Sequence, residues 1–350
     1  MTTTMRPTPS PSPTPPVPAA TPPTAPALPE PRGPVSEAVL SALRGVPAEP
    51  PGLDGVEPYG DDLQLALYCC YELHYRGFEE VDDAREWDPA LLSLRAGLER
   101  AFLGALRDDV PAGTDVGAEL DGLLVEHVDS FGVSHHLRRD GEQWQLREYV
   151  ALRSLYHLKE ADPQTFVIPR LDGPAKAALV TVQHDEYGAG DPGRAHARLF
   201  AEMMSELGLS AAYGAYLDSA PAEMLAEVNF MSLCGLHRAL RAVLVGQFAF
   251  VELTSSPGSD RLVKAMRRLG CGPAAVRFYA EHVEADAVHE QLLRREVIAP
   301  LLDAEPGLAS DIVFGLRCSA FLADRLGDRL LHHWARGESG LRGGTEAGTP

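Results

Sequence analysis

Basic residues are scarce in this 350-residue chain: 31 Lys and Arg against 50 Asp and Glu leave a formal net charge of −19. An acidic field of that size repels polyanions and no basic stripe offsets it, so no nucleic-acid partner is expected. Cysteine is scarce too. The five thiols, Cys69, Cys70, Cys234, Cys271 and Cys318, include no CxxC pair and lack the density of a secreted disulfide scaffold, which fits reduced, mostly buried thiols in a cytoplasmic protein. No apolar run reaches the roughly 20 residues of a membrane span. The longest, ALRAVLVGQFAFVEL from Ala239 to Leu253, is interrupted by Arg241, Gln247 and Glu252 and reads as a buried helix. Met1 to Pro34 is dominated by Thr, Ser, Ala and Pro and lacks the apolar segment of a secretory leader. Absent as well are a GxSxG elbow, a Walker loop and a GxGxxG after a strand, so hydrolase, kinase and dehydrogenase readings have no support.

What is present is 45% hydrophobic and 23% charged, ample for one large domain or two small ones. Period-2 runs rich in Val, Ile and Thr are nearly missing, and long amphipathic segments punctuated by Gly and Pro dominate, which predicts an all-α fold. Helices are expected over Asp61 to Tyr75, Pro89 to Leu106, Gly117 to Asp129, Gly141 to Glu160, Gly173 to Tyr187 and Pro192 to Leu207, then over Pro221 to Thr254, Pro257 to Leu269, Pro273 to Glu296 and Gly307 to His333. Pro89, Pro192, Pro221, Pro257 and Pro273 each suit a first helical position, where the missing N–H costs nothing; Asp88 and Asp191 suit N-caps. The proline-rich stretch 1–34 and the glycine-rich stretch 337–350 carry too little hydrophobicity to offset ordering entropy and are expected to be disordered. Between them the division is a helical region over 35–145, packed on a core bundle over 146–336.

One short stretch raises a chemical question. In EHVEADAVHEQL, from Glu281 to Leu292, His282, Asp286 and His289 stand at i, i+4 and i+7, within about 40° of one direction on a helix. Two imidazoles and a carboxylate suit divalent iron, zinc or manganese; an ordinary solvated face would show the same spacing. If the stripe holds metal, other helices must supply carboxylates or imidazoles from apolar surroundings. Glu252 sits among Phe248, Phe250, Val251 and Leu253, where an unpaired carboxylate is costly. Glu186 and His196 flank the Gly188 to Gly190 turn; on one straight helix they would point about 80° apart, but the break can re-aim them. His184 and Asp185 beside them read equally well as ligands or as surface groups. Glu160, near a helix end, reads by itself as exposed more readily than as a ligand. His135 with His136 and His332 with His333 point about 100° apart on a helix and do not share a metal; His127 and His237 show no site geometry.

The order of KEADPxTFxIPR, DEYGxG followed by HARLF, VELTSS and HVEADAVH resembles the haem-oxygenase-like diiron oxidases and oxygenases, the iron-containing redox enzymes, over about Glu148 to Trp334. Four separated motifs in one order are far more specific than any single one. The segment YELHYRGFEEVDDAREWDP, from Tyr71 to Pro89, adds to the likeness. The resemblance implies a seven-helix bundle holding two non-haem irons, with Glu160, Glu186, His196, Glu252, His282, Asp286 and His289 as the ligands. It implies O2 as co-substrate and needs no haem, flavin or nicotinamide; a haem reading would have to rest on His74. The activity implied is oxidation of a small molecule in specialised metabolism. N-oxygenation of an amine or amino acid suits the seven-ligand set; fatty-acid decarboxylation or desaturation, carbon–carbon cleavage, and a non-catalytic metal-binding or assembly role are the alternatives. The expected partners are a small-molecule substrate, an external electron donor and, as one option, a second copy of the chain, with no membrane involved.

Overall fold

The computed structural model describes residues 25–46, 51–126 and 129–344, and these form fourteen α-helices and no strand. In chain order they are α1 Pro34–Leu43, α2 Asp61–Glu72, α3 Pro89–Asp109, α4 Val116–Leu123, α5 Val133–Arg139, α6 Gln143–His157, α7 Asp162–Thr165, α8 Gly173–Glu186, α9 His196–Glu206, α10 Ala222–Leu236, α11 Arg241–Arg268, α12 Pro273–Leu292, α13 Ala299–Ala304 and α14 Ala309–Trp334. The all-α expectation is met. Local chemistry sets several of the starts. Asp88 caps α3 by accepting from Ala90 N and Leu91 N, with Pro89 at the first helical position, and Glu142 and Gln145 close a reciprocal capping box on α6.

At the centre, α11 lies between α12 and α14. Two glycines make the α11–α14 crossing close: a Cβ on Gly246 would stand 2.1 Å from Ile312 O, and one on Gly315 would stand 2.1 Å from Val243 O. Backbone cannot yield to such an intrusion, so Gly246→Ala and Gly315→Ala should each cost about 1–3 kcal/mol, read as a lower urea midpoint. Gly104→Ala in α3, where nothing lies within 4 Å of the added carbon, should be neutral or slightly stabilising. Equal effects at all three positions would show that the crossing is not tight. The expectation that no apolar stretch reaches a membrane span is corrected at Pro306–Trp334, which is long and apolar enough to cross a bilayer; one face of α14, with Ile312, Leu316, Leu322 and Leu330, is buried against α10 and α11.

Several expected boundaries move. The helix expected over Pro221 to Thr254 is two helices, broken at His237 and bent by 108°. Pro257 does not start a helix but lies inside α11; burial of α11 between α12 and α14 outweighs the roughly 3 kcal/mol that an interior proline costs. Pro221 is the residue before α10. Pro192 precedes α9 by four residues, and Asp191 caps no helix: its carboxylate accepts from Gly193 N within the loop. Disorder through Pro34 is corrected for residues 25–34, where Glu30 N donates to Asp218 Oδ1 at 2.9 Å, Arg32 Nη2 donates to Leu217 O at 2.7 Å and Pro34 opens α1. An extended proline-rich segment needs no internal hydrogen bonds, so a few external ones suffice to fix it. Residues 1–24 lie outside the described residues, as do His127 and 345–350. Flexibility from 337 onward is corrected up to Gly344. The buried Glu148 carboxylate draws in Trp334 Nε1 at 3.0 Å, Gly340 N at 2.8 Å and Ser339 Oγ at 2.7 Å, and Leu341 is buried behind them.

Candidate metal centre

Four parts of the chain converge on one interior point. The sequence brings Glu186 to the last residue of α8, and the loop over 187–195 turns the backbone so that α9 opens on His196. Gly188 makes this possible: its φ is +86°, and a Cβ there would stand 2.2 Å from Asp191 O and 2.6 Å from Ala195 N. Only glycine satisfies both demands. From α11 comes Glu252, and from one face of α12 come His282, Asp286 and His289. Glu160 lies in the turn between α6 and α7. All seven are buried, between 1% and 5% exposed. The surface reading of Glu160 is thereby corrected, because α6 ends at His157 and the following turn folds the carboxylate inward.

The seven fall into two groups that share a member. Ligand atoms of Glu160, Glu186, His196 and His282 all lie within 4.8 Å of one another, and so do those of Glu186, Glu252 and His289. Glu186 faces both: Oε2 lies 2.8 Å from His196 Nδ1, and Oε1 lies 3.5 Å from His289 Nδ1. His289 Nδ1 is also 3.0 Å from Glu252 Oε2. Asp286 stands beside the second group, 3.8 Å from His289 Nδ1, without joining its three atoms.

The donor chemistry fits a pair of divalent ions. Four buried carboxylates facing three imidazoles are costly unless cations offset them. Glu160 Oε2, His282 Nε2 and Asp286 Oδ2 are buried with no hydrogen-bond partner, and His196 Nδ1 faces Glu186 Oε2 without hydrogen-bond geometry. The outer ring atoms are fixed as metal-binding imidazoles require. His282 Nδ1 donates to Phe278 O at 2.8 Å, which leaves Nε2 aimed at the group; His289 Nε2 donates to Asp185 Oδ2 at 3.3 Å, which leaves Nδ1 inward. Asp185 thus orients a candidate ligand, whereas His184 is exposed. Sequence reasoning missed His157, buried with Nδ1 2.9 Å from Glu160 Oε1; its position three residues before Glu160 at a helix end was the available signal.

The site's protonation follows from this crowding. Burial lowers the His282 and His289 pKa values, but the surrounding carboxylates, led by Glu160 for His282 and by Glu252 for His289, outweigh it and raise them to about 10 and about 9. Burial, with Glu252 nearby, pushes Asp286 up to about 7. Both imidazoles are therefore protonated at neutral pH in the metal-free protein, and a metal must displace those protons. Affinity for ferrous iron should fall as pH falls, by up to about a hundredfold per unit for two displaced protons, measured anaerobically by chelator competition between pH 7 and 8. A pH-independent affinity would mean that His282 and His289 are not ligands.

Glu160, Glu186, Glu252, His282 and Asp286 line one end of a cavity of about 360 Å³, and exposed Phe131 lies at its rim. His74 offers no free nitrogen to a haem: Nδ1 is 2.7 Å from Glu86 Oε1, and Nε2 is 2.6 Å from Arg95 Nη1. A helical bundle with a buried carboxylate–imidazole cluster lining one end of a cavity defines a metal-dependent enzyme of the bundle-core type. More particularly, residues 147–324 match the iron-containing redox enzyme family, and the chain belongs to it. It is also similar to the nitrosourea synthase of Streptomyces achromogenes subsp. streptozoticus, 25% identical over 287 residues that cover 76% of this chain and 61% of that protein. The chain thus spans less than two thirds of that relative's length. All seven candidate ligands fall inside the family match.

Proposed function

We propose that the protein is a non-haem diiron oxygenase that uses O2 to oxidise a small molecule in specialised metabolism, with N-oxygenation of an amine or amino acid as the reaction. The observation that carries this reading is Glu186, a single carboxylate presenting one oxygen to each of two ligand groups. Glu160, Glu186, His196 and His282 would hold one ion, and Glu186, Glu252 and His289 the other, with Asp286 beside the second. Bound ferrous ions supply the one-electron and O2 chemistry that side chains lack. The protein's own part is to hold the two ions on facing helices and to exclude water behind Phe230, Phe250 and Phe278, which line the cavity. Two imidazoles keep their orientation through Phe278 O and Asp185. The similarity to a nitrosourea synthase favours nitrogen as the atom oxidised, since a nitrosourea carries a nitroso group on nitrogen. Delivering one oxygen atom to substrate and the other to water needs two electrons from an external donor.

The reading is tested with 18O2 and a panel of amines and amino acids, using the iron-loaded protein and a chemical reductant. A product that gains one labelled oxygen on nitrogen is expected. Labelled product oxidised only at carbon would overturn the N-oxygenation assignment, and O2 uptake unaffected by every substrate would overturn the oxygenase itself.

A further inference from the structure

The turn that carries Glu160 is also held from the side away from the cluster, and one residue, Tyr213, reaches it by two routes. Tyr213 Oη donates to Glu72 Oε1 at 2.6 Å, and Glu72 Oε2 accepts at 2.8 Å from Nζ of Lys159, the residue next to Glu160. The Tyr213 ring also lies under Arg76, with Cζ 4.0 Å from the ring centroid, and Arg76 Nη2 donates to Leu158 O at 3.0 Å. Lys159, Glu72 and Tyr213 are all buried, so losing one of these bonds is costly. The backbone under Tyr213, residues 207–221 between α9 and α10, runs through turns rather than a regular hydrogen-bond ladder. Its anchors come from the two ends of the described chain. Glu30 N donates to Asp218 Oδ1 at 2.9 Å, Arg32 Nη2 to Leu217 O at 2.7 Å, and Arg342 N to Ser219 O at 2.8 Å. Pro26 packs where Gly214 has no side chain, since a Cβ there would stand 2.7 Å from Pro26 Cβ. Arg32 Nη1 binds Asp61 Oδ1 at 3.2 Å as well, on the first residue of α2.

We propose that Tyr213 is a positioning residue for Glu160 and that the strap over residues 25–33 acts on the metal centre through it. With the strap seated, the loop over 207–221 presents the Tyr213 hydroxyl to Glu72 and its ring to Arg76. These two fix Lys159 and Leu158 O, and the Glu160 carboxylate between them and the cluster keeps its inward aim. With the strap displaced, the loop loses its anchors at Leu217 O and Asp218, and Tyr213 no longer holds Glu72 in place. The coupling runs through discrete hydrogen bonds, each of which a substitution can remove, and not through proximity alone. This inference rests on Glu160 being a ligand of the proposed metal centre.

The test is amide hydrogen exchange on the full metal-free chain, comparing wild type, Arg32→Ala, Tyr213→Phe and the double variant. Arg32→Ala should speed exchange by about three- to tenfold over residues 209–220 and also over 158–162, the effect of losing one net hydrogen bond. Tyr213→Phe keeps the ring and removes the hydroxyl; it should speed 158–162 by a similar factor and leave 30–36 as in wild type. In the double variant 158–162 should exchange no faster than in Tyr213→Phe alone, because the strap has lost its route to Glu160. Ferrous iron affinity, measured anaerobically by chelator competition, should fall in the same non-additive pattern. Should Arg32→Ala fail to fold, Asp218→Ala removes an exposed anchor only and should give the same pattern at smaller amplitude. A merely structural strap would lower the urea midpoint and loosen 209–220 while exchange at 158–162 and iron affinity stay at their wild-type values. That result overturns the proposal, and so does full additivity of the two substitutions, which would place the coupling in Arg32 and Asp61 on α2. Because exchange is read without metal, a wild-type chain that takes up no iron would count against the diiron reading, while exchange at 158–162 still decides the role of Tyr213.

Discussion

Replacing Glu186 by Ala should take anaerobic iron loading from two ions per chain to one or fewer, the largest effect of any single substitution in the site. Glu186 is the residue common to both ligand groups, so its loss removes a donor from each ion at once and leaves two like charges without the carboxylate between them. His196→Ala or Glu252→Ala takes a donor from one group only and should weaken one ion while sparing the other. Folding should survive the change. The site already carries Glu160, Glu252 and Asp286 in the same buried space, and burial, with Glu186 beside it, raises the pKa of Glu252. Removing one negative charge relieves that repulsion in the metal-free protein. The metal-free Glu186→Ala protein is thus expected to be at least as resistant to urea as metal-free wild type, and iron should raise the midpoint of wild type but not of the variant. Normal two-ion loading of this variant would remove the basis for a shared carboxylate.

The second large effect lies outside the ligand set. Lys159, 2% exposed, points Nζ at Glu72 Oε2 at 2.8 Å, and Glu72 Oε1 accepts from Tyr213 Oη at 2.6 Å. The rings of Tyr75, Tyr68 and Tyr213 surround the ammonium with centroids at 4.2, 5.0 and 6.0 Å. Glu72→Ala would leave a buried ammonium with only aromatic faces for company, at a cost of about 3–5 kcal/mol, a large share of the 5–15 kcal/mol that holds a typical domain together. Chemical denaturation should show it directly. Glu72→Leu combined with Lys159→Met should recover most of the loss, because an apolar pair removes the desolvation cost together with the attraction. A Glu72→Ala variant within 1 kcal/mol of wild type would mean that Lys159 finds water or another partner. Since Lys159 directly precedes Glu160, the single variant should also lower iron affinity, and the double variant should restore it.

Much of this site was readable before any coordinates because its geometry is local. His282, Asp286 and His289 share a face through helical periodicity alone, and the structure buries all three. The glycine turn after Glu186 announced a change of direction, and Gly188 supplies it. What escaped was tertiary. Pro257 is a strong local stop signal, overridden by burial of α11 on two sides. The break at His237 has no proline to mark it, and Gly235, two residues earlier, still lies inside α10. Glu160 looked solvated because the turn after His157 is not periodic, and only the likeness to the diiron oxidases placed it among the ligands. Arg153 with Glu227 and Lys159 with Glu72 pair residues 74 and 87 positions apart, a separation at which a lone sequence carries no pairing signal. The strap over residues 25–33 escaped for a related reason: its composition is that of a disordered segment, and its order comes from contacts near residues 217 and 218.

Central to the account is that two irons share Glu186, and magnetic coupling between them tests this most directly. The full chain is loaded anaerobically with ferrous iron, oxidised, assayed for iron and examined by quantitative EPR. Two ions per chain are predicted, with almost no signal from isolated ferric iron, because a carboxylate shared between adjacent ferric ions couples their spins. One ion per chain, or a high-spin ferric signal that accounts for all the iron present, would contradict the shared site.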